Sequence, residues 1–323
     1  MPYSKAFSTP LVLIMGPTGI GKTQLAIECV QRFPLEIISV DSAMVYKGLD
    51  IGTAKPSLAE LSLAPHHLID VCDPSESYSV EHFCQQASEL IHEITKKGKI
   101  PCLVGGTFLY FKALLRGLAE LPSANPELRD QIMIRATQLG WPALHHELQS
   151  VDPVTAQRVH PNDQQRIQRA LEVFQLTGKP LSDWLAASQN TQLGDSVVNQ
   201  RFNVLALGLW PGNRSQLHQR LEARLSLMMA SGFVDEVAAL KQNPALHADL
   251  PAMRSVGYRQ IWQYLDGLHD QAEAQYRALV ATRQLAKRQM TWQRQWPDLT
   301  SFKTDDTLMK TSVFSRLEAF IAS

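Results

Sequence analysis

The chain has 323 residues, 45% hydrophobic and 19% charged, which fits one large domain or two modest ones and excludes a disordered or low-complexity protein. Its 31 Lys+Arg balance 31 Asp+Glu, so any attraction to nucleic acid must come from a local basic surface rather than from the field of the whole protein. LVLIM (11–15) is a continuous apolar run too short for a helix and suited to a strand buried on both faces. KTQLAIECVQRF follows with helical spacing, placing Leu25, Ala26, Cys29, Val30 and Phe33 on one face. LEIISV (35–40) is a second buried strand ending at Asp41. HHLIDV (66–71) and IPCLVGG (100–106) repeat the strand pattern, with a helix at about 78–97 between them. The interval 121–200 breaks this rhythm and reads as helices only, at about 126–139, 141–150, 152–159 and 162–177, followed by a polar loop over 185–200. Asn162 or Asp163 caps the start of the fourth helix and Gly178 stops it. FNVLALGLW (202–210) restores a strand, and helices follow at 213–230, 233–241, 254–266 and 271–295.

Strands alternating with helices specify a doubly wound α/β fold with its functional groups at the strand carboxyl ends. The expected fold is a P-loop NTPase-like, mostly parallel sheet formed by 1–120 and 201–323, with an all-helical insertion domain at 121–200. Cys29, Cys72, Cys84 and Cys102 have no C-x-x-C spacing and read as reduced thiols. His66, His67, His145 and His146 have no metal-ligand partners at useful spacing and read as structural or surface residues. No leader and no apolar run of about 18 residues are visible, so the expectation is a cytoplasmic protein without a membrane partner.

GPTGIGKT (16–23) fits G-x-x-x-x-G-K-[ST] between a strand and a helix. Within Gly16, Pro17, Thr18, Gly19, Ile20 and Gly21 the glycines let the backbone curl so that successive N–H groups converge, and the helix start adds a positive dipole. Lys22 adds a charge between phosphates, and the Thr23 hydroxyl can ligate Mg²⁺ or a phosphate oxygen. The loop grips a pyrophosphate, and both ATP and an allylic diphosphate contain one. No Arg-bearing lid of a kinase is evident in the chain. Asp41, at a strand end on the same sheet edge, could bind metal, act as a base or form a turn.

Eight blocks resemble, in order from about residue 11 to 297, the bacterial tRNA dimethylallyltransferase family: GPTGIGKT, VDSAMVYKGLDIGTAKP, HHLIDVCDPSESYS, LVGGTFLYFKALL, HPNDQQRIQRALEV, LHQRLEARLSLMMASGFVDEV, MRSVGYRQIW and TRQLAKRQMTWQRQW. The family more often has Ala-Ser or Ser-Gly where this loop has Gly19-Ile20, and the zinc finger of eukaryotic relatives is missing. The resemblance implies transfer of a dimethylallyl group from dimethylallyl diphosphate to N6 of the adenosine 3′ of the anticodon. The tRNAs so modified read codons beginning with U, and diphosphate leaves with Mg²⁺ as cofactor. It implies that residues 16–23 hold the diphosphate, that Thr23 and Arg224 act on it, and that Asp41 accepts the N6 proton. Arg220 shares a helix face with Arg224 at i,i+4, and spacing does not choose between them.

The same resemblance implies contact with the tRNA anticodon stem-loop at Asp41, Ser42, Ala43, Met44, Thr107 and Arg129. Further contacts fall on Gln165, Arg166, Ile167, Gln168 and Arg169, then on Arg254, Ser255, Val256, Gly257, Tyr258 and Arg259. The last block is Lys287, Arg288, Gln289, Met290, Thr291, Trp292, Gln293 and Arg294. Basic residues interleaved with Trp292 and Trp296 suit single-stranded RNA, whose bases stack on rings, although core tryptophans with basic neighbours fit the same pattern. A monomer is expected because no exposed apolar heptad is evident. A small-molecule P-loop kinase and a prenyltransferase acting on free AMP are the competing readings of the same residues.

Overall fold

The apolar run at the start forms β1 (Thr9–Met15), whose residues from Leu11 to Met15 are fully buried. The computed structural model describes residues 9–117, 121–190 and 202–323. The chain then forms α1 (Lys22–Val30), β2 (Leu35–Val40), α2 (Leu58–Leu63), β3 (His66–His67), α3 (Val80–Lys96), β4 (Ile100–Gly105) and α4 (Phe108–Arg116). Next come α5 (Pro126–Leu139), α6 (Trp141–Val151), α7 (Pro153–Arg158), α8 (Gln164–Thr177) and α9 (Leu181–Asn190). The remainder is β5 (Phe202–Trp210), α10 (Arg214–Ala230), α11 (Phe233–Lys241), α12 (Tyr258–Leu265), α13 (Gln271–Arg294), β6 (Thr300–Lys303) and α14 (Met309–Ile321).

The six strands form one sheet in the order β3-β2-β4-β1-β5-β6, and every pairing is parallel. The order reverses at β1, which lies between β4 and β5. In such sheets the crevice at the carboxyl ends of these strands is where ligands bind. Apolar side chains of α1, α10, α13 and α14 pack with the central strands into one core. Two compact units result: Met1–Leu115 with Gln200–Ser323, and Arg116–Asn199. The second has its own core, built around Ile132, Leu144, Leu148, Ile167 and Leu171. No helix among the described residues is long and apolar enough to cross a membrane.

Local chemistry explains most boundaries. Helix α8 starts where the Asp163 carboxylate accepts the Arg166 N–H and stops at Gly178 (φ 70°). The expected strand at 66–71 shrinks to His66–His67, because Leu68 (φ 60°) and Asp70 (φ 56°) turn left-handed and break the extended run. The expected helix from 254 begins only at Tyr258, because Gly257 takes φ 93° at its N-cap. Residues 185–190, expected in a loop, lie in α9, and residues 191–200 fall outside the described residues. Helices α2, α4 and α14 and strand β6 add to the expected elements.

Candidate active site

The loop after β1 is shaped by its glycines. Gly19 (φ 74°) and Gly21 (φ 97°) are left-handed, and a Cβ on Gly16 would come within 3.0 Å of Ile20 and 3.1 Å of the Leu209 carbonyl of β5. Gly21 is the N-cap of α1 and offers no side-chain cap, and the first turn carries no acid. The orphan N–H groups of that turn are therefore open to an anion. Lys22 Nζ donates to the Pro17 carbonyl at 2.9 Å, which folds its chain back over the loop. Burial lowers the Lys22 pKa to about 8; the Asp41 charge opposes this and that of Arg224 assists it.

Asp41 follows β2 directly. Its Oδ1 accepts the N–H groups of Ala43 at 2.8 Å and Met44 at 3.2 Å, so it does build a turn. Oδ2 is left unengaged among the described residues. Ser42 N–H donates to Thr107 Oγ1 at 3.2 Å, tying this turn to the end of β4. Arg224, half-buried on α10, donates to the Thr53 carbonyl at 3.0 Å. Burial lowers the Arg224 pKa and the Asp41 carboxylate counters it. Arg220 is exposed, donates to Thr304 Oγ1 at 3.4 Å and lines the same cleft, so the two arginines differ in burial but share the cavity.

The turn that receives Arg224 hangs on one carboxylate that sequence reasoning left without a role. Glu236 of α11 accepts the N–H groups of Asp50 at 3.1 Å, Ile51 at 2.7 Å and Gly52 at 3.2 Å, and the Tyr258 hydroxyl at 2.5 Å. A Cβ on Gly52 would lie 2.1 Å from the Phe233 ring, so only glycine fits there. Burial and the Glu236 charge raise the Tyr258 pKa and keep its proton on the shared hydrogen bond. Lys55, 6% exposed, donates to the Tyr46 carbonyl and pairs with Asp50 and Asp70.

These groups surround a cleft of about 460 Å³ lined by Thr18, Lys22, Thr23, Asp41, Arg224 and Gln289, among others. A smaller recess of about 100 Å³ shares Thr18, Asp41 and Arg224 with it and is otherwise mostly apolar, with Leu221, Met228, Phe233 and Val256. Cationic phosphate donors thus share one cavity with the Asp41 carboxylate, while Glu60, also in its lining, accepts from Ser57.

A model of the IPP transferase family matches residues 44–296, and one described as isopentenyl transferase matches residues 9–71. The chain belongs to the IPP transferase family. It is 50% identical over 304 residues to tRNA dimethylallyltransferase 2 of Hahella chejuensis (strain KCTC 2396), covering 92% of each chain. It resembles the structure of a tRNA isopentenylpyrophosphate transferase from Bacillus halodurans with TM-score 0.70 and 34% identity, over 97% of both chains. A eukaryotic dimethylallyltransferase solved acting on tRNA aligns with TM-score 0.78 and 28% identity, over 98% of this chain and 80% of that one. Membership in this family makes the chain a transferase, and the kinase reading falls.

The remaining expected contacts of this transferase divide between surface and core. On α13, Lys287, Arg288, Thr291, Trp292 and Arg294 are exposed. Met290 and Gln293 are buried, because 286, 290 and 293 form the inward stripe of the helix, and Gln289 points into the cleft. Met290 and Gln293 are thus interior positions rather than surface contacts, while Gln289 is half-buried at the cleft. Trp296 packs edge-on against Phe108 and Phe111 at 6.2 and 6.1 Å, the core arrangement rather than a stacking platform. In the 254–259 block, Arg254 and Arg259 are exposed while Gly257 and Tyr258 are buried, so Tyr258 too is interior. On α8, Gln165 and Arg166 are exposed but Ile167 is fully buried in the helical core, another correction. Arg129 and Arg169 both bind the buried Glu172, and Gln168 donates to the Arg129 carbonyl at 3.1 Å.

Proposed function

We propose that this transferase moves the dimethylallyl group of dimethylallyl diphosphate to N6 of the adenosine 3′ of the anticodon, in tRNAs reading codons that begin with U. The observation that carries the reading is the free Oδ2 of Asp41 on the wall of the same cleft as the phosphate loop, Lys22 and Arg224. As the allylic C–O bond breaks, its electron pair stays with the diphosphate. The backbone N–H groups of residues 16–23, Lys22 and Arg224 are preorganised for that charge. Thr23, at the first turn of α1, donates its hydroxyl to the bridging oxygen. N6 forms the new C–N bond, and Asp41 Oδ2 accepts the proton it loses. The apolar recess beside Asp41 suits the five-carbon chain.

The described residues contain no cluster of three or more His, Cys, Asp or Glu that could hold a metal. Mg²⁺ needs no such cage when phosphates supply most of its ligands, and the Thr23 hydroxyl would add one oxygen. Bound there, Mg²⁺ would neutralise diphosphate charge. The target base must leave its stack, which costs less in an anticodon loop than in a duplex. The exposed arginines and lysine of 254–259 and 287–294 hold the RNA backbone, with Trp292 available to a base. The protein acts as a cytoplasmic monomer.

The test incubates the protein with labelled dimethylallyl diphosphate, Mg²⁺ and unmodified tRNA, with AMP and ATP as controls. Label in tRNA at the position after the anticodon supports the reading. Label in AMP instead, or turnover of ATP without prenyl transfer, overturns it.

A further inference from the structure

Helix α13 serves two surfaces at once. Its outer face carries Lys287, Arg288, Thr291 and Trp292, and its inner stripe runs through Ala286, Gln289, Met290 and Gln293. The Gln289 amide is engaged at both ends: Oε1 accepts the Thr18 N–H at 2.8 Å and Nε2 donates to the Gly106 carbonyl at 3.0 Å. Thr18 belongs to the loop after β1, and Gly106 immediately follows β4, the neighbouring strand. One side chain therefore spans the crevice where the strand order reverses. The fit is tight, since a Cβ on Gly106 would lie 2.4 Å from Gln289 Nε2 and 3.1 Å from the Gly16 carbonyl. One turn further on, Gln293 Nε2 donates to the Leu209 carbonyl of β5 at 3.1 Å. The helix is thus fastened to three strand ends around the phosphate loop.

We propose that Gln289 is a positioning residue that couples the outer face of α13 to the phosphate loop, so that bound tRNA tightens the diphosphate seat. The RNA side of this coupling rests on the function proposed above. The loop grips an anion with backbone N–H groups, and their aim depends on its curl. Gly19 and Gly21 have no side chains to hold that curl, so the tether at Thr18 sets where the following N–H groups point. RNA seated on the outer face restrains the helix, and with it the Gln289 side chain on the inner face. Glutamine fits the task because one end must accept and the other must donate. The coupling is reciprocal, as any linkage between two sites must be.

Calorimetry on the full chain tests this, with an uncleavable analogue of dimethylallyl diphosphate plus Mg²⁺, measured with and without an anticodon stem-loop. In the native protein the stem-loop should tighten the analogue at least fivefold. Gln289→Met keeps the volume and loses both hydrogen bonds. It should weaken the analogue about tenfold without RNA, reduce the coupling below twofold, and leave the affinity for the stem-loop alone unchanged. If that variant fails to fold, Gln289→Glu, which retains the acceptor and loses the donor, is measured in the same way. Native-sized coupling in either folded variant, or no coupling in the native protein, overturns the proposal. Lost stem-loop affinity with normal analogue binding also overturns it, and makes Gln289 an RNA contact. Failure of the RNA reading looks different: Lys287→Ala with Arg288→Ala would leave stem-loop affinity unchanged. That would take RNA off α13 and the coupling with it, while the effect of Gln289→Met on the analogue alone would persist.

Discussion

Helices α8 and α13 carry arginine-rich blocks that look alike in sequence, yet they use their charge differently. On α8, Arg169 is bound to Glu172 at 2.6 Å, and Arg129 of α5 joins the same carboxylate at 2.8 Å. Glu172 is fully buried; burial works to raise its pKa, but hydrogen bonds from Arg129, Arg169 and the Asn125 N–H outweigh this and lower it. Two of the three arginines expected to meet RNA there hold a buried acid in place, and Arg166 stands exposed with a loose 3.5 Å contact to Asp163. On α13, Lys287 and Arg288 are exposed and have no acidic partner among the described residues. A basic residue counts toward nucleic-acid binding only after the buried acids have taken their share.

Four experiments break or sharpen this contrast. The largest effect is expected from Glu172→Ala, which leaves two arginines without their carboxylate. It should destabilise the helical unit by about 2–4 kcal/mol, read by urea unfolding, whereas removing a free cation from α13 should not. Because the folded Glu172 pKa is lowered, its contribution is present above the ordinary carboxylate range and is lost as pH falls through the folded value. A native-like midpoint for this variant would dissolve the contrast. The exposed charges of neither helix should govern the chemical step. Asp41→Asn should cut the rate at least tenfold while tRNA binding survives, and near-normal single-turnover rates would exclude Asp41 as the base.

Lys287→Ala with Arg288→Ala should weaken tRNA binding and reduce the slope of log K against log salt by about two, with unfolding unchanged. An unaltered slope would place the RNA elsewhere. The smallest effect concerns pH. Lys22 has its pKa lowered to about 8, so below that it is charged and ready for diphosphate. Above it, binding must take up a proton. Affinity for a diphosphate analogue should therefore fall by up to tenfold per pH unit beyond about 8, and a flat profile from pH 7 to 9.5 would remove Lys22 from the charge balance.

Much of the architecture was legible because its causes are local. The buried strands β1, β2, β4 and β5 are continuous apolar runs, and the four helices expected between 126 and 177 are present, three of them with Pro in their first turn. The expected 66–71 strand exceeds the observed His66–His67 because its apolar pattern continues past the point where Leu68 and Asp70 turn left-handed. The phosphate loop was readable for the same local reason: its glycines, lysine and threonine are adjacent in the chain.

The sequence by itself determined the α/β class, the anion-binding loop and, through eight ordered blocks, the family. Tertiary structure alone decided which members of each block do the work. Gln289 meets Thr18 across 271 residues, and Glu236 meets Ile51 across 185. A helix periodicity can say that one side of α13 is inward, but not that a glutamine there closes a loop. That choice belongs to partners brought together only when the sheet forms.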